Sequence, residues 1–134
     1  MTTRFLLDTN ILSDLARNPQ GRAASRINRL PANDVCTSII VAAEIRYGVI
    51  KKNSPRLTAQ MEAILSGLDI LPFEAPADAV YGELRLQLET AGTPIGSNDL
   101  LIAAHAVTLG YTLVTDNIRE FSRIKELPVE NWLV

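Results

Sequence analysis

The chain is short of the two residue types that build most soft-metal and redox sites. Cys36 is its only cysteine and His105 its only histidine. A single cysteine excludes an intramolecular disulfide, so a stapled secreted scaffold is ruled out and a reducing compartment suits the chain. One cysteine and one histidine do not furnish a zinc ligand set. Long hydrophobic runs are also missing. The longest apolar stretches fall far short of a membrane span and are broken by Glu44 and His105. The start, Met1-Thr2-Thr3-Arg4, has no apolar segment of signal-peptide length and no cleavage-site pattern. The expectation is a cytoplasmic protein with no membrane partner. Internal repeats, low-complexity segments and linkers are absent too. A length of 134 residues holds one domain with a real core but not comfortably two, so 1–134 is expected to be a single domain.

What is present is ordinary in its totals and uneven in its distribution. An apolar fraction of 47% with 21% charged residues is that of a soluble globular domain. The net charge of −2 does not advertise a nucleic-acid binder. Between Asp14 and Asp34, however, there is no acid, and Arg17, Arg22, Arg26 and Arg29 all fall there. Arg22, Arg26 and Arg29 share one helical stripe. Such a stripe is either a solvated helix face or a phosphate-contacting edge on an otherwise acidic protein.

The organising stretch is Arg4-Phe5-Leu6-Leu7-Asp8-Thr9-Asn10. Its continuous apolar run suits a strand buried on both faces. Asp8 stops that strand, and Ile11, Leu12 and Leu15 then recur at helical spacing. Further along, the patterns predict helices over about Thr9–Arg17 and Arg22–Leu30 and a strand at Val35–Thr37. A helix opened by Ser38 follows, apolar nearly all round at its start and therefore expected to be buried. The next helix carries Leu57, Met61, Ile64, Leu65 and Leu68 on one face, a stripe for the core or for a second subunit. Ile70–Phe73 reads as an edge strand because of Pro72. A helix over Pro76–Ala91, an apolar helix with Ser97 as N-cap, a strand at Thr112–Thr115, a short helix over Asn117–Arg123 and a last edge strand near Val129–Trp132 complete the chain. Strands alternating with helices predict an α/β fold. Its core would be a mostly parallel sheet of four to five short strands flanked by helices in three layers, with a helical hairpin around residues 38–68.

Four acids stand apart. Asp8 and Asp116 each end an apolar strand, the place outside the carboxyl ends where open α/β sheets bind ligands. Either could instead merely cap the following helix. Glu44 sits mid-helix between Ala43 and Ile45 and needs a cation, either an arginine (Arg46 or Arg4) or a metal ion. Asp99 sits in the first turn of a helix where Ser97 is available for capping. Taken together, clustered carboxylates repel and destabilise the fold unless a cation offsets them. Oxygen-only ligands select a hard ion, Mg²⁺ or Mn²⁺. Such a site activates water and clamps a phosphoryl group, which points to a metal-dependent phosphodiesterase.

Leu6-Leu7-Asp8-Thr9-Asn10, Ala43-Glu44-Ile45-Arg46-Tyr47-Gly48, Asn98-Asp99-Leu100-Leu101-Ile102-Ala103-Ala104 and Val114-Thr115-Asp116-Asn117 resemble the PIN-domain ribonucleases, and among them the VapC-type toxins of bacterial toxin–antitoxin pairs. The resemblance implies that Asp8, Glu44, Asp99 and Asp116 form an acidic quartet binding Mg²⁺ or Mn²⁺. It implies that Thr115 supports that site with its hydroxyl and that Thr9 and Asn10 shape it. It also implies an RNA substrate, often tRNA or ribosomal RNA, a homodimer, and a VapB-type antitoxin. Ser97 departs from a Pro common in related toxins, and some relatives have Asn where Asp116 stands. Arg22, Arg26, Arg29 and Arg46 are the candidate contacts to RNA or antitoxin. The competing reading is a non-catalytic RNA- or protein-binding module with a vestigial acidic site. A haloacid-type phosphatase would want an acid where Asn10 stands. His105, nearly two turns past Asp99, is read as a packed or surface histidine rather than a general base.

Overall fold

Short apolar segments that alternate with helices fold into one parallel sheet of β1 (Phe5–Leu7), β2 (Val35–Ser38), β3 (Asp69–Leu71), β4 (Thr112–Val114) and β5 (Val129–Glu130), in the spatial order β3-β2-β1-β4-β5. The structure, a computed structural model, describes residues 4–134. The reading of Met1-Thr2-Thr3 as free of a leader lies outside them. The helices are α1 (Thr9–Arg17), α2 (Arg22–Asn28), α3 (Ile39–Lys52), α4 (Pro55–Ser66), α5 (Ala77–Thr90), α6 (Ser97–Leu109) and α7 (Ile118–Phe121), with a 3-10 turn at Ala32–Asp34. Among the described residues no helix is long and apolar enough to cross a membrane.

The strand order follows from composition. A strand buried on both faces needs apolar residues in succession rather than in alternation. The central strands meet this: Leu6 and Leu7 of β1, Val35 and Cys36 of β2, and Leu113 and Val114 of β4 are all buried. The half-exposed residues of β3 and β5 fall at the two edges. Chain order reverses at β1, which has β2 on one side and β4 on the other, in register Leu7↔Thr37 and Leu7↔Val114. The carboxyl ends of β1 and β4 therefore flank the crevice where this class of sheet binds ligands. Asp8 directly follows β1, and its N–H donates to the Val114 carbonyl (2.9 Å).

One expectation about the helices is corrected and one alternative is decided. Helix α3 is buried along Val41, Ala42, Ile45 and Val49 only. Ile39, Tyr47 and Ile50 are exposed, because α3 has neighbours on one side and is not wrapped by the sheet. The stripe on α4 takes the core alternative. Met61 and Leu65 are buried, and Leu57, Ile64 and Leu68 pack on the same core, since α4 lies against α1 and α3. The α3–α4 hairpin itself matches the expectation.

His105 is structural, as expected. It is 2% exposed. Its Nδ1 lies 2.8 Å from the Ser38 hydroxyl, and its ring meets Phe73 edge-on at 5.5 Å. Burial lowers its pKa and keeps the imidazole neutral. Ser38 Oγ also accepts from the Ile40 N–H (3.0 Å), capping α3. Ser38→Ala removes that cap and strands a buried ring nitrogen. The expected cost is about 2–3 kcal/mol, read as a lower urea midpoint; an unchanged midpoint would contradict this role.

Candidate active site

Each acid is delivered by a separate local rule. Asp8 arrives at the end of β1, Glu44 one and a half turns into α3, Asp99 in the first turn of α6, and Asp116 just past β4. Asp8 is nearly buried at 3% exposure. Its Oδ1 accepts from the Thr9 N–H (2.8 Å), so it does begin α1. Its Oδ2 accepts from the Thr115 hydroxyl (2.8 Å) and the Asn10 amide (3.2 Å). Asn10 Nδ2 also reaches Thr115 Oγ1 (3.1 Å), and Asn10 Oδ1 accepts from the Asp116 N–H (3.0 Å). Asn10 thus ties the ends of β1 and β4 together, and Thr9, Asn10 and Thr115 all stand where the sequence puts them.

Glu44 is half-buried, and both of its oxygens face neutral donors. The Thr9 hydroxyl donates to Oε1 (2.6 Å) and the Asn98 amide to Oε2 (3.2 Å). The arginine alternative is overturned. Arg46 is bound twice to Glu62 (3.1 Å each), and Arg4 lies at the opposite end of β1, paired with Asp69 (3.2 Å). Among the described residues no site carboxylate takes part in an ion pair.

Asp99 meets an acid that sequence reasoning missed. Glu120, on α7, is near enough to Asp99 to raise its pKa, and accepts from the Gly96 N–H (2.9 Å) and the Asn117 amide (3.5 Å). Gly96, not Ser97, is the N-cap of α6, and it lacks a capping side chain. Glu120 does that work from another element, which is why the local sequence misplaced the cap. Asp99 and Glu120 titrate as a pair, with Asp99 the readier of the two to take up a proton. Burial, the bond to Glu120 and the charges of Asp8, Glu120 and Glu44 push Asp99 up to about 7, whereas the Gly96 N–H holds Glu120 low. Burial raises Asp8 as well, against the hydrogen bonds from Thr9, Thr115 and Asn10, with the Glu44 charge adding to the rise. Asp8, Glu44, Asp99 and Glu120 therefore lie within one another's fields. Asp116 is at the exposed rim.

The donor chemistry fits a hard cation: every candidate atom is a carboxylate, hydroxyl or amide oxygen, and among the described residues no cation forms an ion pair with the cluster, the Arg123 charge acting on Glu120 alone. The tight cradle is not preformed. Among the described residues no three His, Cys, Asp or Glu side chains already converge on one point, because Asp99 is turned to Glu120 and Glu44 to Thr9 and Asn98. The basic candidates separate. Arg22, Arg26 and Arg29 line one cleft, and Arg46 is engaged elsewhere by Glu62.

A raised carboxyl pKa means that the folded state binds the extra proton. Its stabilising effect is full at low pH and is lost as pH rises from the ordinary carboxylate range through about 7. In chelator the protein is therefore expected to melt at a lower temperature at pH 8 than at pH 5. Asp99→Asn is expected to narrow that gap by raising the pH 8 melting temperature. Melting scans check this, and an unchanged gap would contradict the carboxylate repulsion.

Residues 5–127 match the family profile described as PIN domain. Ribonuclease VapC2 of Rickettsia felis is 42% identical over 130 residues, covering 96% of this chain and 97% of the relative. The tRNA(fMet)-specific endonuclease VapC of Salmonella typhimurium is 36% identical over 130 residues, covering 96% of this chain and 98% of the relative. A chain in the crystal structure of VapBC2 from Rickettsia felis, bound to a DNA fragment from their promoter, superposes with a TM-score of 0.89 at 41% identity over 96% of this chain and 98% of that one. DNA-bound VapBC from Salmonella typhimurium superposes with a TM-score of 0.91 at 36% identity over 97% of this chain and 98% of that one. The chain belongs to the PIN-domain family.

Proposed function

We propose, with membership of the PIN-domain family as the premise, that this chain is an endoribonuclease toxin of a toxin–antitoxin pair. It hydrolyses phosphodiester bonds of RNA, with tRNA or ribosomal RNA as the substrate class and Mg²⁺ or Mn²⁺ as the cofactor. The observation that carries the reading is the set of Asp8, Glu44 and Asp99 at the sheet's switch point, joined by Glu120, with neutral hydrogen-bond donors and, among the described residues, no ion pair. The names of the relatives, ribonuclease and tRNA endonuclease, support the same substrate class. In this reading the whole chain acts as one PIN domain in the cytoplasm, as a homodimer, and pairs with a VapB-type antitoxin. The complexes named VapBC among its structural neighbours support that partner.

Asp8, Glu44 and Asp99 would hold the ion, with Glu120 and Asp116 at its outer side. When bound, the ion makes water acidic enough to attack at neutral pH and neutralises the scissile phosphate. The chain's own residues do the rest. Thr115 and Asn10 fix one oxygen of Asp8 and Thr9 fixes the other. Thr9 and Asn98 hold the two oxygens of Glu44. Without the ion, burial and the neighbouring acids raise Asp99, and the proton it takes up would be released when the ion binds. Attack in line leaves a 5′-phosphate and a 3′-hydroxyl.

Purified chain, free of partner, is expected to cut bacterial RNA in Mg²⁺ or Mn²⁺ and not in chelator. Asp8→Asn and Asp99→Asn are expected to lower the rate at least about 100-fold, roughly 2.7 kcal/mol of barrier, with the fold intact by circular dichroism. The structure adds Glu120→Gln to that set. Thr115→Val is expected to act through Asp8 and to be milder. A folded protein that neither cuts RNA nor binds either ion would favour the non-catalytic module.

A further inference from the structure

The acidic site repels the polyanion it is read to cut, so the RNA needs anchoring elsewhere on the chain. We propose that the cleft between α2 and the C-terminal segment is that anchor, binding backbone phosphates of the same RNA; this rests on the ribonuclease reading above. The cleft holds about 490 Å³ and is lined by Gln20, Arg22, Ser25, Arg26, Arg29 and Asn131 among others. All three arginines are exposed, and Ala23 and Ala24 on the opposite face of α2 are buried, so the arginines project from a fixed helix. Among the described residues, the ion pairs leave out Arg22 and Arg29. Three other arginines of the surface are spoken for: Arg4 by Asp69, Arg46 by Glu62 and Arg85 by Glu89.

Arg26 has a different part. Its guanidinium lies over the Trp132 ring, 5.0 Å from the centroid, and 3.6 Å from Glu130, which also accepts from the Trp132 indole N–H (2.9 Å). Trp132 in turn meets Phe5 edge-on at 5.0 Å. The stack pins Arg26 to the core and presents a guanidinium plane of the kind on which unpaired bases stack. The cleft is also close to the acids. Glu130 ends β5, and its carbonyl accepts from the N–H of Thr115 (2.9 Å), the residue whose hydroxyl holds Asp8. One strand spacing, about 5 Å, separates the strand carrying the hydroxyl from the strand that opens the cleft.

The lining favours RNA over protein. It consists mainly of guanidinium and amide groups, which suit phosphates and riboses. A protein segment has a better seat in the separate apolar groove of about 230 Å³ that runs from Thr9 and Glu44 along Ile45, Val49, Leu57 and Met61.

The test uses the Asp8→Asn chain, so that RNA is bound without being cut. Its affinity for unfractionated bacterial tRNA is measured by fluorescence anisotropy over a range of KCl concentrations. The Arg22→Ala/Arg29→Ala pair is expected to weaken binding about tenfold or more at fixed salt. It is also expected to flatten the log–log salt slope by about one per arginine removed. The Arg22→Lys/Arg29→Lys pair, which keeps the charge, is expected to restore the slope. Thermal melts establish that each variant is folded. Unchanged affinity and slope in the alanine pair would overturn the proposal and leave the cleft to an acidic protein segment. A lysine pair as weak as the alanine pair would also overturn it. If wild-type chain cuts tRNA and the alanine pair binds as before, this proposal alone fails. If wild type cuts no RNA and the Asp8→Asn chain binds none, the ribonuclease reading fails with it.

Discussion

Mutual repulsion between carboxylates is the constraint around which this molecule is built. Two like charges about 5 Å apart at an effective dielectric near 20 repel by roughly 3 kcal/mol. A neutral hydrogen bond returns about 1 kcal/mol net. Thr9, Asn10, Asn98 and Thr115 therefore orient Asp8 and Glu44 without discharging them. Burial and the remaining conflict raise Asp99 to about 7, so a proton is taken up there more readily than by an ordinary carboxylate. A proton is a small substitute for a divalent ion. Under the proposed function, the stability and the chemistry of the site would both wait on a cation.

The fold brings those acids together with very little machinery. Strands of three or four residues suffice because Leu6, Leu7, Leu113 and Val114 bury them on both faces. Reversal of chain order at β1 opens a crevice between the ends of β1 and β4. Asn10 spans it, reaching Asp8 and Thr115 with its amide nitrogen and the Asp116 backbone with its oxygen. Helices α3 and α6 then bring Glu44 and Asp99 in from their amino-terminal halves. The arginines of α2 lie on the side of β5, so opposite charges occupy neighbouring parts of the molecule without cancelling.

Much of this was legible in the sequence because it is local. A strand that ends on Asp8, a carboxylate in the apolar setting of Glu44 and the apolar run after Asp99 are each visible over fewer than ten residues. The extents of α1 and the α3–α4 hairpin followed from periodicity alone. What escaped depends on partners distant in the chain. Glu120 looks like any acid on a short helix until α7 is seen against the start of α6. For the same reason the cap of α6 was assigned to Ser97 instead of Gly96. Arg46 was a plausible RNA contact until Glu62, on the other arm of the hairpin, was found holding it. Helix α3 was read as buried although Ile39 and Ile50 are exposed, because hydropathy reports apolar character and not which neighbours are present.

Calorimetric titration of Mn²⁺ into chelator-stripped protein at pH 6, in two buffers of different ionisation enthalpy, tests the central claim most directly. The account predicts binding that releases protons, because the ion displaces the proton taken up at Asp99, and binding that is lost in Asp8→Asn. Binding that is undiminished in Asp8→Asn and releases no proton, or no binding at all by folded wild type, would contradict it.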